Sequence, residues 1–402
     1  MKKILIVGGG VNQMPLILAA KAEGYVVVVV DYAGKECPAY AVADRLYDVS
    51  TQDEDAIMEV ARKEGIDGII SNSEPSMLIV NSIAERLHLV GDPTDGIEQL
   101  TSKGCFRRLQ RRVGVFAPDC HEVATEEEAV RVAERMSYPI IVKPCESSGS
   151  RGCKRIDRFE REIIAGTFLE CNRYSRNGKV VIEEYVPMPS LRTIEGDIFV
   201  YGDTIIWEGL YHTTRAGWAP MVPMTYTAPM RMDEGRMESL RSTILRVLQG
   251  AGIRFGQFNI EGYFTHTGEF FIIEINARQG GNFLPRFLRR FTGIDYNRLL
   301  VTTCVKEEGY INEVATSERP HRFAMMSSVY SQEAGVYQGL AFDPLIRDKI
   351  KDVRQLVSAG EAVEKCIDGT SIVASIDLEF DSMEELDAFT PLVVDGIRVR
   401  IV

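Results

Sequence analysis

Apolar positions near the N-terminus follow two alternating rhythms. Residues 3–7, 26–31 and 68–71 are short β-rich runs, and 14–23 and 53–64 between them carry helical apolar spacing. Strands alternating with helices predict βαβ units and a parallel sheet. Pro15 falls in the first turn of its helix, where the missing N–H is no loss. A boundary follows near Gly91-Asp92-Pro93, then a cationic helix over 101–113, and Pro118 opens a new stretch. From about 138 to 305 the pattern is α+β, richer in strands with short glycine turns. Beyond 306 a charged stretch precedes strands at 322–329 and 370–379, a helix around 382–388 and a last strand at 397–402. No internal repeat or low-complexity segment interrupts this order.

Composition narrows the class. The 402 residues are enough for two or three packed units, and 45% hydrophobic with 26% charged residues is globular. The longest apolar run, Tyr25 to Val30, stops at Asp31, far short of the roughly 20 residues needed to span a bilayer. Met1-Lys2-Lys3 leads straight into a short strand rather than a signal-peptide core, so a cytoplasmic protein without membrane partners is expected. The eight cysteines are dispersed, as for reduced thiols, and Cys145 reads as a core thiol. A net charge of −12 argues against a nucleic-acid partner. Two basic clusters, Arg107-Arg108 with Arg111-Arg112 and Arg286 with Arg289-Arg290, read as solvated helix faces, although the second lies close to a motif described below. Gly8-Gly9-Gly10 has Gln13 where a dinucleotide fingerprint needs its third glycine. It reads as a strand–helix turn whose amides face an anionic group.

Four local patterns carry chemistry. Ile140 to Pro144 is a strand ending at Lys143, which sets an ammonium at a sheet rim. Directly after it, Glu146-Ser147-Ser148-Gly149-Ser150-Arg151-Gly152 supplies small residues, hydroxyls and a fixed positive charge suited to phosphate. Val180 to Val186 runs through Glu183, Glu184 and Tyr185 into Pro187, an extended backbone able to pair with a purine edge. The sharpest pattern is a hairpin: a strand at 258–264, a turn at Thr265 to Gly268, and a return at 270–278. Period-2 geometry puts Glu274, Asn276 and Arg278 on one face, and the partner strand can set Glu261 beside them. Two carboxylates and an amide oxygen are hard ligands suited to a Mg²⁺ ion that also binds phosphates. The stretch from Tyr211 to Tyr226, with Arg215, Trp218, Pro220 and Pro223, reads as a long ordered loop covering an acceptor pocket. Glu74 ends a strand of the first unit, where an open α/β sheet binds its ligand.

Taken in this order, Val142-Lys143-Pro144, Ser148 to Gly152, Glu183 to Val186 and Glu274 to Arg278 resemble the motifs of the ATP-grasp superfamily. The resemblance implies an α/β and α+β fold. It divides the chain into a Rossmann-like parallel-sheet domain (1–98), a two-lobed ATP-grasp domain (99–305) hinged near 183–187, and a small C-terminal α+β region (306–402) packing on it. Lys103 and Lys143 look like the family's phosphate-binding lysines, residues 146–152 like its lid, and Glu183 to Val186 like its adenine-facing hinge. Glu261, Glu274 and Asn276 look like its Mg²⁺ (or Mn²⁺) ligands, and Arg278 like the arginine that steadies the transferred phosphoryl group or acyl phosphate. Thr193 stands where relatives often carry a ribose-binding glutamate, a departure from the pattern, with Glu195 and Asp197 just after it. Gly280-Gly281-Asn282 points to the amino-acid-ligase side of the superfamily, with the turn near the reacting carboxylate.

The resemblance implies an enzyme that uses ATP to activate a carboxylate as an acyl phosphate and joins it to an amine, releasing ADP and phosphate. It suggests a homodimer acting on small molecules. Three alternatives stay open: a kinase on the same fold, a non-catalytic nucleotide-binding regulator, and a dehydrogenase built on the first unit.

Overall fold

Strands β1 (Lys3–Val7), β2 (Val26–Asp31), β3 (Arg45–Asp48) and β4 (Gly68–Ile70) form a parallel sheet in the order β3-β2-β1-β4. Ile4 to Val7 and Val27 to Val30 have no exposure, as strands must when both faces of a sheet are covered. The computed structural model describes residues 1–32, 37–146, 151–281, 283–316 and 322–402, apart from the side chains of Trp207 and Glu208. Pro15 occupies the first turn of helix Met14–Ala22, and the Asp53 carboxylate caps helix Glu54–Glu64 by accepting from the Ala56 N–H.

The anion facing the first glycine turn is the chain's own. Gly9 N–H donates to Asp31 Oδ2 at 2.8 Å, and a Cβ on Gly9 would lie 2.6 Å from Cys37 Sγ. Gln13 reaches across to Asn72 at 2.7 Å. The turn's contacts are thus made from within the chain.

A second sheet follows: β5 (Cys120–Val123), β6 (Ile140–Pro144), β7 (Lys154–Ile156) and β8 (Val180–Glu184), antiparallel in the order β5-β8-β6-β7. Ile140, Val142, Val180 and Ile182 pack under helices Glu126–Ala133 and Arg161–Asn172. Alternation then turns Lys143 and Glu183 to the opposite face.

The largest sheet uses strands from two regions of the chain. Its members come from β9 (Arg192–Tyr201), β10 (Thr204–Ala216), β11 (Ala219–Ala228), β12 (Phe255–Phe264), β13 (Phe270–Asn276) and β14 (Phe323–Val329), then β15 (Gly335–Phe342), β16 (Ile350–Gln355), β17 (Ala362–Val363), β18 (Ala374–Phe380) and β19 (Ile397–Ile401). Eight of these pair in the order β13-β12-β9-β10-β11-β14-β18-β16, while β17, β15 and β19 make a small separate sheet. On β9, Ile194, Ile198 and Val200 meet helix Glu234–Gly250. Thr193, Glu195 and Asp197 therefore share the other face.

Four expectations change here. The stretch 211–226 is not a long loop: β10 and β11 pair from His212↔Thr227 to Ala216↔Ala219, leaving only a tight turn at Gly217 and Trp218. Pro223 had suggested a loop, but it sits opposite Arg215 at a break in register, where a strand tolerates a residue without an N–H. The C-terminal region also does more than pack on the central unit, since β14, β16 and β18 extend its sheet. Arg286 and Arg290 are not merely a solvated face. They clasp this extension, Arg286 to Asp352 at 2.7 Å and Arg290 to Asp377 at 3.0 Å and Glu379 at 2.9 Å. The helix read at 382–388 runs on as Met383–Gly396. Among the described residues no helix is long and apolar enough to cross a membrane.

Asp92, at the boundary read from the sequence, joins the first sheet's unit to the largest sheet. Its Oδ1 accepts from the Arg254 and Phe255 amides at 2.6 and 2.9 Å. Burial pushes its carboxyl from the ordinary 3.8 up to about 7, against the pull of those two donors. A carboxyl raised on folding favours the native state fully below its unfolded pKa, and that advantage is lost as pH rises through the folded value. Asp92→Asn should therefore gain on the wild type by on the order of 2–4 kcal/mol between about pH 4 and 8. Parallel stability curves for the two proteins in urea titrations at several pH values would refute this.

Candidate active site

A cleft of about 140 Å³ lies between the second sheet and the largest one. Its walls are partly apolar, from Ile141, Met188, Met221, Phe271 and Ile273, and partly charged, from Lys103, Lys143, Arg151, Arg215, Glu261 and Glu274. Lys103 begins helix Lys103–Arg112, its N–H held by the Cys145 carbonyl at 3.2 Å. Cys145 itself is a buried thiol beside Ser102. Of the expected phosphate loop, Arg151 and Gly152 are described, whereas Ser148, Gly149 and Ser150 lie outside the described residues, as does Asn282.

Glu183 and Lys143 meet on the cleft face of the second sheet because Ile141 pairs with Glu183 in register, two residues short of Lys143. Lys143 Nζ donates to Glu183 Oε1, and Arg107 Nε donates to Glu183 Oε2 at 2.9 Å. Burial alone would raise the Glu183 carboxyl, but Arg107 and Lys143 outweigh it and hold it at about 2. Glu183 is thus the buried counter-ion of a cleft lysine, with its side chain unavailable to a purine. Arg107 corrects the reading of the first basic cluster, for it is 1% exposed and also donates to Gln110 and to the Ile272 carbonyl. The missed signal was helical spacing: Phe106, Arg107 and Gln110 share the buried face, whereas Arg108, Arg111 and Arg112 point outward.

The backbone of the segment expected to be a hinge is partly engaged by the chain itself. Tyr185 N–H donates to the Pro139 carbonyl at 3.0 Å, and the Val186 carbonyl accepts from the Tyr263 hydroxyl at 2.6 Å. The exposed Glu184 and half-buried Tyr185 and Val186 form the cleft edge, with Arg155 stacked 4.4 Å above the Tyr185 ring.

Across the cleft, Glu261 and Glu274 are direct register partners on β12 and β13. Glu195 on β9 is the partner of Glu261 on its other side, so three carboxylates span three adjacent strands. Arg215 answers them: it donates to Glu261 Oε1 at 2.6 Å, to Glu195 Oε1 at 3.3 Å, and to the Thr193 hydroxyl. Burial, then the Glu261 charge, lifts Glu195 to about 8 despite Arg215. Burial raises Glu261 as well, with Glu274 adding to it and Arg215 opposing. Arg215, expected at the acceptor pocket, lines the cleft and is also the buried cation of this acidic row. The Thr193 hydroxyl is engaged by Arg215 in the sheet interior, so it does not face a ribose.

Asn276 Nδ2 donates to Glu274 Oε1 at 2.9 Å, leaving its amide oxygen as a further hard donor. Among the described residues, no three histidine, cysteine or acidic side chains cage an ion unaided. Two partly exposed carboxylates with an amide oxygen fit a Mg²⁺ ion whose remaining ligands are phosphate oxygens and water.

Arg278 follows on the same strand direction, donating to the Gln279 carbonyl at 2.8 Å and to Glu74 Oε2 at 3.3 Å. Glu74 also accepts from Arg176 at 2.9 Å, which ties the first unit to both lobes of the cleft. Burial raises Glu74, but Arg278 and Arg176 bring it below the ordinary carboxylate range. Gly280 is buried under the turn and Gly281 is exposed.

Replacing Glu183 with glutamine strands Arg107 and Lys143 without their shared anion. Glu183→Gln should lose about 3–5 kcal/mol at neutral pH. A depressed carboxyl stabilises above its unfolded pKa of 4.5 and ceases to do so as pH falls toward about 2, so the wild type's extra stability should fade over that window. A variant as stable as the wild type at pH 7 in chemical unfolding would disprove the arrangement.

The family model for the carbamoyl-phosphate synthase L chain, ATP binding domain, matches residues 103–282. An uncharacterized protein of Sinorhizobium fredii is 28% identical over 289 residues, 70% of this chain and 56% of that protein. The C-terminal section of the carbamoyl phosphate synthase large chain of Methanopyrus kandleri is 23% identical over 292 residues, 69% of this chain and 53% of its own length. The chain thus spans about half the length of these curated relatives. The crystal structure of an L-amino acid ligase from Bacillus licheniformis superposes with a TM-score of 0.78 at 21% identity, covering 100% of this chain and 99% of that one. The ATP-binding-domain match takes in both lysines, the extended segment at 183–186 and the acidic hairpin, so residues 103–282 are similar to the ATP-binding domains of the ATP-grasp superfamily.

Proposed function

We propose that this protein is an ATP-dependent ligase that activates a carboxylate as an acyl phosphate and joins it to an amine, releasing ADP and phosphate. The observation that carries this reading is the pairing of Glu261 with Glu274, beside Asn276, in a cleft whose other wall presents Lys103 and Lys143. Likeness to an L-amino acid ligase over the whole chain supports an amino acid or a similar small carboxylate as one substrate.

A carboxylate oxygen is a poor leaving group, and moving the γ-phosphoryl group onto it corrects that. The chain's part is positioning and charge neutralisation, as phosphoryl transfer requires. Glu261, Glu274 and Asn276 would hold Mg²⁺ or Mn²⁺, which when bound offsets phosphate charge. Lys103, Lys143 and Arg151 supply cations along the cleft for the nucleotide phosphates. Arg278 stands at the far end of the acidic strand, suited to the negative charge of the reacting carboxyl group. The amine nitrogen then attacks the acyl carbon, phosphate departs, and the amine loses a proton. The apolar walls around Met188, Met221 and Phe271 exclude water that would otherwise hydrolyse the acyl phosphate.

The test is ADP release from Mg-ATP with hydroxylamine as the amine and a panel of carboxylates that includes amino acids. Carboxylate-dependent ADP release with hydroxamate formation is expected, and Glu274→Ala should reduce it by at least about 10²-fold. Phosphate retained on the substrate would replace this reading with a kinase. Failure to bind Mg-ATP would end it.

A further inference from the structure

Asp197 has no exposed surface and sits inside the largest sheet on β9, on the face opposite helix Glu234–Gly250. No ion pair of Asp197 occurs among the described residues, yet four hydrogen bonds converge on it. Asn259 Nδ2 donates to Oδ1 and Gln257 Nε2 to Oδ2, both at 2.9 Å. The Gly280 N–H is shared between the two oxygens at 2.9 and 3.1 Å. Only an ionised carboxylate accepts from all of these donors; an asparagine there would turn an N–H₂ toward at least one of them.

The Gly280 N–H belongs to the same peptide unit as the Gln279 carbonyl, and that carbonyl receives Arg278 Nη1 at 2.8 Å. A trans peptide is planar, with its N–H and C=O directed oppositely, so fixing one edge fixes the other. Gly280 also lacks room for a side chain, since a Cβ would lie 3.0 Å from Leu284 Cδ1, 3.1 Å from Asn259 Nδ2 and 3.2 Å from Asp197 Oδ1. An anion on the N–H polarises the peptide and strengthens the carbonyl as an acceptor.

We infer that Asp197 is a positioning residue for the reaction: through the single peptide plane between Gln279 and Gly280, it sets the orientation of the Arg278 guanidinium. This rests on the ligase reading of the site. Asp197 has no exposed surface, and the bonded route from it to Arg278 runs through that plane. Glu74, on the other side of Arg278, completes the hold.

The experiment measures Asp197→Asn and, as a milder lesion of the same cluster, Asn259→Ala, each in wild-type and Arg278→Ala backgrounds. Asp197→Asn should lower carboxylate-dependent kcat/KM by about 10²-fold, as expected for a misaligned catalytic group. The dissociation constant for Mg-ATP should stay within about threefold of wild type, and the loss should nearly vanish when Arg278 is already alanine. Amide hydrogen exchange across residues 277–284 should quicken in both single variants whether or not turnover is detected. A loss of equal size in the Arg278→Ala background, a parallel fall in Mg-ATP affinity, or unchanged exchange over 277–284 would each overturn the inference. A wild type without carboxylate-dependent ADP release would instead remove the ligase reading, and the exchange data would still decide whether Asp197 holds the turn.

Discussion

Like charges placed side by side in a low-dielectric interior demand cations between them, and the active region of this protein is organised around that demand. Glu195, Glu261 and Glu274 occupy adjacent strands of one sheet, and Arg215 reaches two of them from a fourth. On the facing wall, the ratio is reversed, with Arg107 and Lys143 sharing Glu183. Each wall therefore carries an excess of one sign, negative on the large sheet and positive on the small one. A polyanion brought in with a divalent cation is complementary to both at once.

The same electrostatics ties the lobes together. Glu74 lies on a short turn after β4 and bonds Arg278 from the large sheet and Arg176 from the segment before β8. Three parts of the chain therefore meet at one carboxylate. Asp197 does comparable work with no ion pair among the described residues, bonded only by amide N–H groups, and this is the stricter geometric arrangement because dipoles must be aimed.

Where the sequence was readable, it was so through periodicity. β1 and β2 appear at the bounds read from their apolar runs, and the acidic hairpin could be aligned so that Glu261 faced Glu274, because alternation and a glycine turn leave little freedom. The strands carrying Lys143 and Glu183 were legible for the same reason. Reading failed where meaning depends on a distant partner. Arg107 looks like any arginine in a basic run until Glu183, 76 residues away, is folded against it. Arg215 is likewise explained by Glu261 on β12, a strand that does not neighbour its own in sequence. Pro220 and Pro223 disguised β11 as a loop, since a proline at a register break carries no local mark of the strand around it.

The shared sheet has a consequence for how the molecule is made. β11 acquires its outer neighbour only when β14 pairs with it, and β18 and β16 then follow. During synthesis the first parallel sheet and the lobe around β6 can close from residues already present. Until the chain has passed β14, however, the long strand β11 remains an open edge with unpaired backbone groups. The final pairing buries that edge between segments almost a hundred residues apart, a high-contact-order step of the kind that folds slowly and invites intermolecular strand addition.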